Sequence, residues 1–496
     1  MRDTPDRTEG ALPWWRVAFD AYGGALDERR RDQVARDVRA ADLRHLIVLA
    51  HSAQDDTRRA DQVDARCRAL IESVGHTDGV GVLGVRWPSL CLNPEDGGTT
   101  EAAEEGTDGR QPSGVTDAEL DALRRVFPDS GDALVRVRDL LRERPGPDSA
   151  LDDLGIALRR LAEQPLHAPL HAYAADLGAD ALPQTDPAML IDSTAQVCQG
   201  FAEALDLARR EHGADRGDEA PTGTPAPSAS HHGTLSESDA VGPRAADDPT
   251  SRLTRPESLA PSERPWRAEE AAPTPGRVWD GARQLLCQVV SYATRRHAGL
   301  IGERGLAPLL RDLGEESPGT RVHLVGHGAG ARLVAFAARG LGSEGPGAAS
   351  VCLFQAALSH FVFAEHLPQL SGGGALAGLS ARVAGPVVCC YSRHDLELGV
   401  FFPLATRRIG DGALLTGAGR LWGALGHDGI QGLDGCAALT LAEALEEGAL
   451  PSSGYVGVDA SQRVREGEPP RGAHHDVFHE DLARLVRAAG RLAEGP

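Results

Sequence analysis

Apolar residues along this chain come in two kinds of pattern. Some form short unbroken runs, and others recur every three or four positions over longer stretches. The first kind predicts strands buried on both faces, the second amphipathic helices. Trp14-Trp-Arg-Val-Ala-Phe-Asp20 is a strand, with a turn at Tyr22-Gly-Gly24. Residues 25 to 43 carry Val34, Val38, Ala41 and Leu43 at helical spacing. His45-Leu-Ile-Val-Leu-Ala50 is a continuous apolar run ending at His51-Ser52. A helix over 58–75 follows, then a strand over 79–87 that Pro88 stops.

The alternation then breaks. Residues 93–114 are rich in Glu, Gly and Thr and show no apolar period. Residues 115–210 recover helical spacing, as in Leu134-Val137-Leu140-Leu141 and Leu151-Leu154-Leu158-Leu161, with a further helix from Met189 to Ala208. Residues 212–275 are dominated by Pro, Ser, Ala, Gly and charge, a composition too polar to offset the entropy of ordering. Beyond 276 the strands and helices return. Helices are expected over 278–297 and from Gly302, strands over 322–325, 349–358, 385–391 and 454–459. Residues 361–381 read as helix and loop, 409–435 as glycine-rich loop, 437–446 as a short helix and 480–492 as the closing helix.

This pattern predicts an α/β protein with a mainly parallel sheet flanked by helices. Its first part would span 1–92 and its second 276–496. Between them stand a flexible tether (93–114), a helical insertion that could cap a site (115–211) and a disordered linker (212–275).

Charge and composition narrow the function. The 496 residues carry a net charge of −21 and no lysine. That acidity argues against nucleic acid and anionic membrane surfaces as partners. No run is long enough for a membrane span, and the start of the chain lacks a signal-peptide core. Eight cysteines lie scattered without a Cys-x-x-Cys pair, several inside apolar runs, which favours a reducing cytoplasm.

The candidate chemistry centres on Arg321 to Gly340. A short strand (Val322, Leu324, Val325) turns at Gly326-His-Gly-Ala-Gly330 into a helix bearing Leu333, Val334, Phe336 and Ala337. Strand, sharp glycine turn and helix are the geometry of a nucleophile elbow, whose pattern is Gly-x-Ser-x-Gly. Here the middle residue is Gly328, which has no side chain to attack with. Sites in parallel sheets form at the carboxyl ends of strands. His51-Ser52, Gly328, Asp395 and His474 all fall there.

The chain resembles the α/β-hydrolases, in an uncharacterised bacterial branch. The resemblance rests on His45–His51, Gly84-Val-Arg-Trp-Pro-Ser89, Gly302–Leu310, Val322–Val334, Gln355–His360, Ser392-Arg-His-Asp395 and Gly472-Ala-His474. It covers roughly 45–90 and 278–490. It implies that Asp395 is the acid of a triad (with Glu397 as fallback), that His474 is the base and that Gly328 occupies the nucleophile's place. It implies oxyanion donors at the amide of Ala329 and in the loop holding Ser52, where the family usually has His-Gly. Two functions are then open. One is a catalytically impaired protein that binds a small acyl ligand or a protein partner through the retained pocket. The other is an active esterase-like hydrolase with Ser52 as relocated nucleophile, or an inactivated form of such an enzyme. No cofactor is called for. A metal site among His474, His475, Asp476 and His479 is disfavoured, because no Glu stands between the histidines as in His-Glu-x-x-His.

Overall fold

In the computed structural model the described residues are 12–51, 57–90, 92, 114–162, 176–178, 187–217, 275–342, 347–367, 371–407 and 423–492. Residues 93–113 of the tether and 218–274 of the linker, with Ser52, lie outside them, while 212–217, expected to be disordered, end the helix Thr194–Gly217.

Among the described residues eight strands form one sheet: β1 (Trp14–Ala18), β2 (His45–Ala50), β3 (Val80–Arg86), β4 (Arg321–His327), β5 (Ser350–Phe354), β6 (Pro386–Tyr391), β7 (Ala437–Thr440) and β8 (Gly454–Asp459). Their order is β1-β3-β2-β4-β5-β6-β8-β7. Every neighbouring pair is parallel. Strands from before and after the insertion meet where β2 pairs β4, Leu46 beside Val322 and Ala50 beside Gly326.

The two-residue period of the strands divides the core between the faces. Leu46, Val48, Leu324, Val351, Leu353, Val387 and Cys389 point to one side, against the helices Glu28–Ala40, Ala307–Glu316 and Ala329–Gly340. Ile47, Leu49, Val325, Cys352, Phe354, Val388 and Cys390 point to the other, where the helix Glu480–Gly490 lays down Leu482, Leu485 and Ala489. Burial on both sides explains why these strands read as unbroken apolar runs.

A separate apolar cluster joins the helices Asp117–Val126, Gly131–Glu143, Pro147–Ala162 and Thr194–Gly217. It starts from Leu90 and Leu92, just past the carboxyl end of β3. It also takes in Leu396, Val400, Phe401 and Ala405, just past the carboxyl end of β6. The insertion therefore rests on the edge of the sheet where the strands end. One 27-residue helix, Pro275–Ile301, ties the layers together. Its residues from Val278 to Ala293 belong to the insertion's cluster, while Ala298, Leu300 and Ile301 belong to the sheet's.

Three local expectations change. Residues 437–446 are not one helix: Ala437–Thr440 form the edge strand β7 and only Leu441–Ala444 are helical. The Ala and Leu here favour helix, but pairing with β8 overrides that weak preference. Thr440 then caps the helical turn, accepting from the Glu443 amide. The described part of 361–381 is turns leading to the 3-10 turn Leu379–Arg382, without an α-helix. The helix expected from Met189 breaks at Asp192-Ser193, into Ala188–Ile191 and Thr194–Gly217.

Candidate active site

The sheet order reverses at β2, with β3 on one side and β4 on the other. A crevice opens at such a reversal, outside the strands' carboxyl ends. His51 follows β2 there, and Gly328 follows β4.

The turn at Gly328 depends on three glycines. Gly328 has φ 56° and ψ −121°, a conformation that side chains rarely adopt. A Cβ on Gly326 would lie 2.4 Å from the Ala331 Cα, and one on Gly330 would lie 2.3 Å from the Ala50 carbonyl oxygen. Strand and helix touch through those bare positions, which lifts residue 328 out of the sheet. Its backbone is held on both sides: its N–H donates to the Phe354 carbonyl at 3.0 Å and its carbonyl accepts from the Ala357 amide at 3.1 Å. Ala329 begins the helix, so its N–H is one of those that helix geometry leaves without an intrahelical acceptor.

Asp395 lies four residues past β6 and His474 in the turn Ala473–His475; both are buried. A bridge between Asp395 and Gly472 brings the two loops together, and the Ala473 amide donates to the His394 carbonyl at 2.9 Å. His474 Nδ1–H donates to Asp395 Oδ2 at 2.8 Å. The other carboxylate oxygen, Oδ1, accepts from the Leu398 amide at 3.0 Å. With the proton on Nδ1, Nε2 carries the ring's free lone pair. Burial pulls the imidazole's pKa down, but the Asp395 charge and hydrogen bond outweigh it, and the net shift is upward. This is the electrostatics of a general base supported by a carboxylate.

Sequence reasoning passed over the residue that ties this pair to the turn. His327, next to Gly328, donates from Nε2 to the His474 carbonyl at 2.7 Å. Burial, with His474 adding, pushes its pKa down to about 3, so it stays neutral. The signal was a histidine between two glycines. His51 is equally committed: its Nε2 reaches Asp64 Oδ1 at 3.4 Å, and Arg16 and Arg86 pair with the same carboxylate. Glu397 does not compete for His474, since it accepts from Gln288 Nε2 at 3.2 Å.

Ring nitrogens of His327, His474 and His475 lie within 4.8 Å of one another, close enough to hold a metal ion. Arg471, however, donates to His475 Nε2 at 3.1 Å, which sets a cation beside the cluster and occupies one of its ligands. His327 and His474 each already have one nitrogen in a hydrogen bond. The arrangement suits packed, hydrogen-bonded rings better than a dication.

A second carboxylate–histidine group was not anticipated. Asp428 accepts from His427 Nδ1 at 2.7 Å and from His360 Nδ1 at 3.0 Å. Burial pushes this carboxylate up, but the two hydrogen bonds overcome it and hold it well below the usual range. Gly423 and Gly399 make room, because a Cβ on either would meet these side chains at 2.5 Å or less. The group braces the turn Leu425–Asp428, whose Gly426 donates to the Ala356 carbonyl at 3.1 Å, one residue before the amide that holds Gly328.

A cavity of about 380 Å³ lies under the site, between β2, β4 and β5 and the helices Thr57–Ser73 and Glu480–Gly490. Its walls are mainly apolar, among them Leu49, Val325, Phe354 and Leu482. It meets the site through His327 and His475, while Asp395, His474 and Gly328 are not among its lining residues.

Fold and site together define an α/β protein with a buried Asp–His pair beside a glycine turn in a conformation that side chains rarely adopt. Compared with protein-family models, curated proteins and solved structures, the chain has no match. Among the described residues no helix is long and apolar enough to cross a membrane.

Proposed function

We propose that this is an α/β-hydrolase-type protein whose elbow has lost its nucleophile and which binds a ligand or partner through the retained site. The observation that carries the reading is the Asp395–His474 hydrogen bond at 2.8 Å, kept buried and anchored through His327 to the turn at Gly328. A carboxylate and an imidazole in that relation orient a proton acceptor toward a hydroxyl. At position 328 there is no hydroxyl. The amide of Ala329, at the helix start, is the oxyanion donor on the helix side. The second expected donor and alternative nucleophile, Ser52, lies outside the described residues.

Labelling with a serine-reactive fluorophosphonate tests this. The unmodified chain stays unlabelled and does not hydrolyse short activated esters. Gly328→Ser supplies the missing oxygen within the turn and becomes labelled. Its turnover stays low if the loop at Ser52 misplaces one oxyanion donor, a loss worth about a hundredfold or more. Labelling of the unmodified chain that disappears in Ser52→Ala would overturn the reading in favour of a relocated nucleophile.

A further inference from the structure

The helix Pro275–Ile301 is buried along most of its length, yet it carries polar residues at Gln284, Gln288, Tyr292 and Arg295. Spacings of four, four and three residues put these side chains on one stripe. Two contacts show where that stripe faces. Gln288 donates to Glu397, and the Arg295 guanidinium lies 4.7 Å from the centre of the Phe402 ring. The stripe thus overlooks the segment that follows Asp395, in the seam between insertion and sheet.

Arg295 is 3% exposed. Among the described residues it forms no hydrogen bond or ion pair, and its Nε is a buried donor without an acceptor. A buried charge is ordinarily paired, because leaving water without compensation costs several kcal/mol. The acidic groups nearby are committed elsewhere: Asp176 pairs with Arg332 and Glu397 with Gln288. Both attract Arg295 only through space, while Arg332 opposes it. Glu397 acts in the same way on His474, so the guanidinium and the imidazole share one electrostatic neighbourhood. The aromatic ring of Phe402, 4.7 Å from the guanidinium, is the apolar surface shown against it.

From this we infer that the seam holds a compact oxyanion, a carboxylate or a phosphate with a short apolar tail, against Arg295. A guanidinium presents a fork of N–H donors that matches both groups. The inference rests on the proposed ligand-binding role and adds the class of ligand.

The full chain is tested by thermal shift and calorimetry, in low-chloride buffer, with hexanoate, hexyl phosphate and inorganic phosphate. Hexanol and hexanamide are the neutral controls. The anions raise Tm and the neutral compounds do not; the stronger of the two hexyl anions identifies the headgroup. Arg295→Met weakens the anion by about tenfold or more, as expected for a lost charge-assisted hydrogen bond. The same change raises Tm without ligand, because it removes an unpaired buried charge. Arg295→Lys keeps part of the affinity. Equal shifts from hexanoate and hexanamide would overturn the inference, as would an unchanged response in Arg295→Met. If Gly328→Ser is labelled by the fluorophosphonate and no anion binds, the anion site alone fails. If anions bind through Arg295 and Gly328→Ser stays unlabelled, the anion site stands and the elbow reading fails.

Discussion

Asp395 uses its two oxygens for two purposes. One ends the turn after β6 by accepting the Leu398 amide, and the other holds the His474 ring. The resemblance implies only the second use, and the fold employs both. An amide in its place could still accept from Leu398. It would, however, present N–H groups to His474 Nδ1, which would then have to accept and would move the ring proton to Nε2. In the Gly328→Ser background, Asp395→Asn therefore slows fluorophosphonate labelling by about three to four orders of magnitude, with the circular dichroism unchanged. Equal labelling rates in the two proteins would mean that His474 does not serve position 328.

At the level of elements, close helix approaches decide what can be changed. A Cβ on Gly281 would lie 1.8 Å from the Cys198 carbonyl oxygen, so the helices Pro275–Ile301 and Thr194–Gly217 cross through a bare backbone. Nothing lies within 4 Å of a Cβ on Gly276, in the same helix. Gly281→Ala is expected to cost about 1–3 kcal/mol by overpacking, and more if the helices must separate. Gly276→Ala gains up to about 1 kcal/mol from helix propensity. Urea midpoints of the two variants should move in opposite directions, and a shared direction would contradict the crossing. The strand β7 belongs to the same scale. Ala437-Ala-Leu-Thr440 has no strand signal of its own and is a strand because β8 offers it an edge.

Across the whole molecule, the buried histidines set the response to acid. His297, His323 and His327 are each pushed down to about 3 by burial, with Arg296, His45 and His474 respectively adding to the effect. Such rings stay neutral in the fold while the unfolded chain takes up protons below about pH 6.5. Stability therefore falls as pH drops from that value toward 3, by about 1.4 kcal/mol per pH unit for each ring. His474 works the other way. Its raised pKa contributes fully below about pH 6.5, and the contribution is lost as pH rises through the folded value. With His45 and His51 also pushed down by burial, the lowered rings outweigh His474, so urea midpoints should fall between pH 7 and pH 5. Among the described residues neither ring nitrogen of His297 has a hydrogen-bond partner, so His297→Leu should make that fall shallower. An unchanged pH dependence in this variant would count against its being held neutral.

Residue pattern by itself determined the class of fold, because strands buried on both faces and amphipathic helices leave unambiguous periods. β2 and β8 were legible to the residue; the tight turn at Gly328 showed in its glycines, and Asp395 and His474 were singled out through the resemblance to the α/β-hydrolases. Tertiary structure decided everything that depends on distant segments meeting. It brought His327 to the His474 carbonyl, 147 positions away. It joined His360 to Asp428, set Arg295 in the seam with no hydrogen-bonding partner among the described residues and made β7 a strand. Local sequence carries no signal for such meetings, since a histidine or an arginine looks the same before the fold determines what stands opposite it. Periodicity reports which side of an element is buried; partner, distance and charge balance are properties of the packed whole.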